Sequence, residues 1–240
     1  MVKTKPTYMK TKLLLLGAFA SLSSGALHAQ SSGQLKAGIN LANVSVNNNG
    51  RVDDANMLTS FQVGFIGNVP LTGSVLSLQP GILFTAKGSK IQRGNPSDNG
   101  YYKQTSNPYY IEVPVNLVFK APIGKDTRFF AGAGPYLAVG IAGKNKTEGR
   151  TILGTTFNSE RDIQFSDDDP TTFSEEEGTG FGVLKRFDYG LNGTAGIEGK
   201  SVVLGVNYGL GLAKLQSGSN SSQDNNNKHR VLSFTLGFKL

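Results

Sequence analysis

His229 is one of only two histidines in the chain, and the other, His28, falls in what reads as a removable leader. An exported hydrolase needs a base in hydrogen-bond reach of a nucleophile, with a third group to orient that base. Ser233 and Asp224 lie near His229 in sequence. Any loop this polar supplies a serine and an aspartate, however, so the trio does not carry an enzyme reading. There is no cysteine, which removes thiolate nucleophiles, thiolate metal sites and disulfides together. Asp167, Asp168 and Asp169, followed by Glu175, Glu176 and Glu177, offer carboxylate oxygens of the kind hard cations take. Their spacing lacks the alternating ligands and central glycine of an EF-hand. The expectation is a solvated loop with at most weak divalent association, and no specific metal or cofactor. Gly132-Ala133-Gly134 and Gly209-Leu210-Gly211 fall inside strand patterns and read as small interior positions rather than phosphate loops.

The titratable residues with a positional logic are Glu112, Asp188, Glu198, Lys36 and Lys120. Each falls on the small or polar side of an alternating segment. In a narrow barrel that side is the interior, where an isolated charge is costly, so these five are expected to pair as a structural polar network. The functional alternative is a polar conduit for water or ions.

The elements that would position them are strands. The last ten residues alternate without a break: Leu232, Phe234, Leu236, Phe238 and Leu240 on one side, Val231, Ser233, Thr235, Gly237 and Lys239 on the other. The same period predicts eight strands, at 34–44, 58–69, 74–87, 108–120, 127–142, 185–198, 201–215 and 230–240. Their connections alternate short (70–73, 121–126, 199–200) and long (45–57, 88–107, 143–184, 216–229). Short turns on one rim and long loops on the other mark an outer-membrane barrel with periplasmic turns, extracellular loops and lipid against the greasy face. Pro80, Pro114 and Pro135 fall inside strands and are expected at bulges or bends. Tyr109, Tyr110, Phe119, Phe129, Phe130, Phe187 and Phe238 lie near strand ends and are expected in interfacial girdles. The fold class expected is all-β, an eight-stranded antiparallel up-and-down transmembrane β-barrel.

The N-terminus carries Lys3, Lys5, Lys10 and Lys12, an apolar run at 13–20 and a small-residue cleavage pattern ending at Ala29. It reads as a secretory signal peptide over 1–29, ahead of a barrel domain over 30–240. Met9, followed by Lys10, offers a second start. With no cysteine after the leader, a lipid-anchored form is excluded. The formal charge of +7 (24 basic, 17 acidic) falls to +3 once the four leader lysines are set aside. No nucleic-acid partner is inferred from so small an excess. A hydrophobic content of 38% does not argue against a membrane barrel, whose apolar face is diluted by a polar one.

Several segments are familiar in order. LKAGINLANV, YYIEVPVNLVFK, FFAGAGPYLAVGIAGK, FDYGLNGTAGIE and VVLGVNYGLGLAKL resemble the PorT-like outer-membrane β-barrel family. Tyr110, Glu112, Pro114, Gly132, Gly134, Pro135, Asp188, Gly190, Tyr208, Gly209 and Leu210 fall on its patterns. The resemblance implies a single-chain barrel in the outer membrane but no one activity. The expected partners are outer-membrane lipid and other envelope proteins. The role is expected to be non-enzymatic: structural, adhesive, or accessory to envelope processes and secretion. Two alternatives stay open: a narrow pore for small solutes, and a soluble lipocalin-like ligand-binding barrel with its faces reversed.

Overall fold

The computed structural model describes residues 32–45, 57–72, 75–166, 183–215 and 228–240. Among these, twelve strands form: β1 (Ser32–Ser45), β2 (Leu58–Thr72), β3 (Leu76–Ala86), β4 (Ser89–Arg93), β5 (Tyr102–Pro122), β6 (Arg128–Arg150), β7 (Thr156–Asp162), β8 (Gln164–Phe165), β9 (Val183–Leu184), β10 (Phe187–Glu198), β11 (Val202–Gly211) and β12 (Lys228–Lys239). Eight of them close a ring of antiparallel neighbours in the order β1-β2-β3-β5-β6-β10-β11-β12, with β12 returning to β1. Full closure leaves the ring no open edge. An even strand number brings the start of β1 and the end of β12 to the short-turn rim, where the Leu240 amide donates to the Gly33 carbonyl at 2.9 Å.

The period of 2 decides the faces. On β11 and β12, Leu204 faces Leu236 and Val206 faces Phe234 outside, while Gly205 faces Thr235 and Asn207 faces Ser233 inside. The outer wall is a continuous apolar surface: Ile39 is 57% exposed, Phe65 54% and Phe234 51%. A lipocalin-like barrel would turn such side chains inward, so this polarity is that of a barrel solvated by lipid. The inner face is less uniformly small and polar than the alternation suggests. Ile66, Leu83, Val118, Phe130 and Tyr136 are buried there beside the expected glycines and amides, because an eight-strand ring leaves a lumen that side chains fill. Tyr110 and Phe130, expected in the girdles, belong to this filling. They share parity with Glu112 and Gly132 and are 0% and 6% exposed. Gly134 shows how closely the strands coil, since a Cβ there would lie 2.0 Å from the Val115 carbonyl oxygen.

The prolines do not insert residues. Pro114 faces Tyr136 and Leu117 faces Ala133, three positions on in each strand, so register is unbroken past Pro114 and Pro135. It is likewise continuous from Pro80–Val115 to Leu83–Glu112. Each proline removes ladder bonding locally. The real irregularity in this ladder sits higher, where Tyr109 faces Ala142 but Tyr110 faces Gly140, leaving Ile141 as the extra residue.

Two of the expected long loops contain strands. The segment 88–107 holds β4 and the upper part of β5, and 143–184 holds the upper part of β6, β7, and the short parallel pair β8–β9. Above the Ile141 bulge, β4-β5-β6-β7 form a four-stranded antiparallel sheet that continues two barrel strands. Its strands carry no apolar alternation, although Ser89, Ser106 and Gly149 are buried in it, and this is why the pattern of Tyr102–Asn107 and of β7 reads as loop. The β6–β7 turn is closed by backbone bonds from Thr151 to Thr155 (2.8 Å) and from Gly154 to Thr151 (2.9 Å). Gly154 supplies the positive φ of 84° that the turn requires. Arg150 ties this tip to the β4–β5 turn through the Ser97 carbonyl at 3.0 Å. At the base of the sheet, Val44, Ile163, Leu184 and Leu215 form a small apolar cluster with Phe165 against it.

Candidate functional site

Three polar layers cross the lumen. The first lies near the long-loop rim and is organised by Lys87, at the end of β3. Its ammonium sits 2.7 Å from Glu112 of β5 and 2.9 Å from Asp188 of β10, with all three side chains under 10% exposed. It also lies over the Tyr136 ring, 4.0 Å from the centroid. The Tyr136 hydroxyl donates to Asp188 Oδ2 at 3.1 Å, and Asn192 Nδ2 donates to Glu112 at 3.1 Å. Gly190 makes room for the tyrosine: a Cβ there would meet the Tyr136 ring at 2.7 Å. Above this group, Tyr110 and His229 meet edge to face with centroids 5.4 Å apart. Their hydroxyl and Nε2 are 3.2 Å apart.

The second layer is neutral amides and hydroxyls around one lysine. Asn207 Oδ1 accepts from Lys36 at 2.9 Å and from Thr194 at 2.8 Å. Its amide nitrogen donates to Thr235 at 3.1 Å. Asn40 Nδ2 donates to Thr85 at 3.0 Å. The third layer lies at the short-turn rim. Glu198 of β10 is held between Lys120 (2.7 Å) and Lys239 (2.6 Å), and Lys120 also donates to Asn68 at 2.8 Å.

The five residues singled out by register therefore divide. Lys120 and Glu198 meet directly. Glu112 and Asp188 meet only through Lys87. Lys36 stands between the layers and bonds an amide rather than a carboxylate. Lys87 and Lys239 complete both ion clusters, and parity could have found them: Lys87 is in phase with Gln79 and Gly81, and Lys239 with Thr235. Among the described residues, two cavities of about 30 and 40 Å³ lie along the lumen, each with room for water. His229 is 1% exposed, faces inward on β12, and its Nε2 lies against a phenol, the Tyr110 hydroxyl. Asp224 and the acidic set Asp167, Asp168, Asp169, Glu175, Glu176 and Glu177 lie outside the described residues.

The second feature is the sheet above the long-loop rim. On its outer face Lys146 pairs with Glu148 at 2.6 Å, Lys103 approaches Glu148 at 3.7 Å, and Lys144 pairs with Glu160. The Lys144 ammonium holds the Glu160 carboxyl below the usual carboxylate range, and its own pKa is raised in return. Every residue of β7 is exposed, and β7 ends the sheet order with no neighbour on its far side among the described residues. At the tip, Ile152 and Leu153 project into solvent, Leu153 being 94% exposed.

A family model described as outer membrane protein beta-barrel domain matches residues 28–217. No curated protein matches. Among solved structures, the chain is similar to Ail, the attachment invasion locus protein of Yersinia pestis, at 12% identity and a TM-score of 0.38, covering 88% of this chain and 99% of that one. It is similar to Neisserial surface protein A at 12% identity and 0.41, covering 88% and 96%. It is also similar to the N-terminal β-barrel domain of Pseudomonas aeruginosa OprF, at 9% identity and 0.34, covering 88% and 98%.

Proposed function

The chain belongs to the outer membrane protein beta-barrel domain family, and from that membership we propose a non-enzymatic, non-conducting outer-membrane barrel that works through the sheet on its long-loop rim. The barrel lies in the outer membrane, with its apolar wall against lipid. Residues 1–29 act as the export signal, the short turns face the periplasm and the long-loop rim faces outward. The observation that carries the reading is the double closure of the lumen by buried ion clusters, Lys87–Glu112–Asp188 at one end and Lys120–Glu198–Lys239 at the other. A conducting pore needs a wet, continuous path. A lumen whose charges are spent on one another, under 10% exposed in the upper cluster and partly exposed at Lys239 in the lower, is suited to holding the wall rigid. The five register residues thus act as structure, with Lys87 and Lys239. What remains to engage a partner is the outer sheet, in an adhesive or structural role, or the periplasmic rim, in an accessory role with other envelope proteins or in secretion.

The test is planar-bilayer recording on the folded barrel. No stepwise conductance is expected at neutral pH. Reproducible unitary steps, abolished by bulkier lumen residues, would overturn the reading in favour of the narrow pore.

A further inference from the structure

We propose that the edge of β7 left unpaired among the described residues pairs with β7 of a second copy of this chain standing in an apposed membrane, so that the barrel is a homotypic contact between outer-membrane surfaces. The inference rests on the outward placement of the long-loop rim given above and adds the partner.

The hydrogen-bond parity of β7 comes first. The Ile163 amide donates to the Gly143 carbonyl, and the Thr151 amide to the Thr155 carbonyl. Both pairs fit the one register that runs along β6 and β7. In an antiparallel ladder, bonded pairs alternate with non-bonded ones. Phe157, Ser159 and Arg161 therefore spend their backbone groups on β6, while Thr156, Asn158, Glu160 and Asp162 aim theirs at the open edge.

Full antiparallel overlap of two seven-residue strands has one register, centred on Ser159. It sets Thr156 against the partner's Asp162 and Asn158 against the partner's Glu160. These are the four residues whose donors and acceptors are unspent, so every open-edge group finds a mate. Between them, Phe157 lies against the partner's Arg161, a cation over an aromatic face, and Ser159 meets its own image. No like charges stand directly opposite one another. Sliding the register by one residue either way sets spent backbone groups against open ones; sliding it by two sets Glu160 against the partner's Glu160, or Asn158 against itself with the strand ends unpaired. A two-fold contact must be self-complementary, and this seven-residue segment is.

Direction then fixes where the second copy stands. The strand β6 climbs out of the barrel and β7 runs back toward it, so two copies in one membrane point their β7 strands the same way. Antiparallel pairing requires opposite directions, hence two facing membranes. Ser159 lies opposite Thr147, six residues beyond the Ile141 bulge, or about 20 Å along the strand. Two such hairpins would bridge a gap of at most about 40 Å between barrel rims. The same register carries the exposed Leu153 of each tip past the end of the partner's β7, to the level of the partner's Phe165. That gives the apolar tip a destination beside the cluster at the base of the sheet.

The chain has no cysteine, which makes the test clean. Opposed non-bonded residues sit about 4.5 Å apart at Cα, within the span of a disulfide. The folded Ser159→Cys barrel is reconstituted into two vesicle populations carrying tags of different size, which are then mixed and oxidised. Mixed-size dimers are expected at ten times or more the yield of Asn158→Cys, whose image is not opposite itself. Adding Asn158→Pro to Ser159→Cys should abolish them, because it removes an open-edge donor and leaves the β6 ladder intact. Equal yields for Ser159→Cys and Asn158→Cys, or dimers confined to one vesicle population, would overturn the pairing. Protease added outside separates the two levels. A hairpin cut from outside without mixed dimers overturns the pairing alone; a folded barrel whose hairpin is shielded in every vesicle overturns the outward placement as well.

Discussion

Replacing Lys87 by methionine should be among the most damaging single changes in the barrel. Methionine keeps the length and much of the packing of the lysine stem over Tyr136 but deletes the cation. Glu112 and Asp188 then face each other's side of the lumen with no ammonium between them. Removing one partner of a buried ion pair typically costs about 3–5 kcal/mol, a hundredfold to several-thousandfold in the folding equilibrium. Here each carboxylate keeps one neutral donor, Asn192 for Glu112 and Tyr136 for Asp188. The expected loss is therefore near the lower figure, about 3 kcal/mol. The triple change Lys87→Met, Glu112→Gln, Asp188→Asn removes all the charge and should recover most of that loss, since burying neutral groups avoids the desolvation of ions. The assay is reversible urea unfolding in lipid vesicles, with folded and unfolded forms separated by their unheated mobility in SDS gels. A loss under about 1 kcal/mol for Lys87→Met would mean that water screens the cluster, contrary to burial of this depth. A triple variant weaker than the single would refute the charge argument outright.

Val206→Arg and Phe234→Arg place a cation on the outer wall and should each cost roughly 2–4 kcal/mol of stability in lipid if they lie near the midplane. They face each other across β11 and β12, so the double variant should lose more than the sum of the two; unimpaired insertion of either single variant would put the apolar face on the wrong side. Protease added to intact cells should cut within 143–184 and spare the 121–126 turn, the reverse pattern meaning an inverted barrel. The Lys144–Glu160 pair should give the outer hairpin a pH window. The Glu160 contribution is present above the ordinary carboxylate pKa and lost as pH falls through its depressed value; that of Lys144 is present below the ordinary ammonium pKa and lost as pH rises through its raised one. Protease resistance of the hairpin should therefore be greatest between about pH 5 and 10, and a shallower acid-side fall in Glu160→Gln is the check, the Lys146–Glu148 pair supplying the remainder. Lys120→Met should destabilise the barrel yet leave hairpin proteolysis unchanged, whereas Lys87→Met should raise both unfolding and hairpin cleavage.

The barrel was legible because lipid demands a pattern. Leu35 to Leu41 and Leu232 to Leu240 alternate without exception and Ile111 to Phe119 breaks only at Val118, and those strands stand where the period puts them. The ends of strands were less legible, because the demand stops at the water. Above Tyr109 and Ile141 no lipid faces β5 and β6, so Tyr102–Asn107 and Gly143–Arg150 carry no apolar signal and look like loop. The polar interior was half legible. Parity marks Glu112, Asp188, Glu198, Lys36 and Lys120 as inward, but which cation meets which carboxylate depends on the shear of the ring, which the sequence does not display. Lys87 was missed because it sits at a strand end, although its parity was right. Tyr110 was assigned to the membrane interface because an aromatic near a strand end suits a girdle equally well; only its parity with Glu112 separates the two.

The upper ion cluster and the outer sheet share a foundation. Lys87 ends β3, and its amide donates to the Pro108 carbonyl, where β5 leaves the barrel. Glu112 and Tyr110 stand on β5 just below that point. On β6, the Ile141 bulge lies at the same level, between Gly140, where a Cβ would strike the Phe165 ring, and Gly143, where it would strike Ile163. A bulge re-aims a strand, and this one turns β6 from the curve of the ring toward the flatter sheet. The upper cluster thus ties the two strands on which the sheet is built, β5 through Glu112 and β6 through Tyr136, at the place where lipid no longer supports them. A barrel used as a passage would gain from loosening that layer. A barrel used as a pedestal gains from locking it, and the same side chains then serve closure and display without a separate site for either.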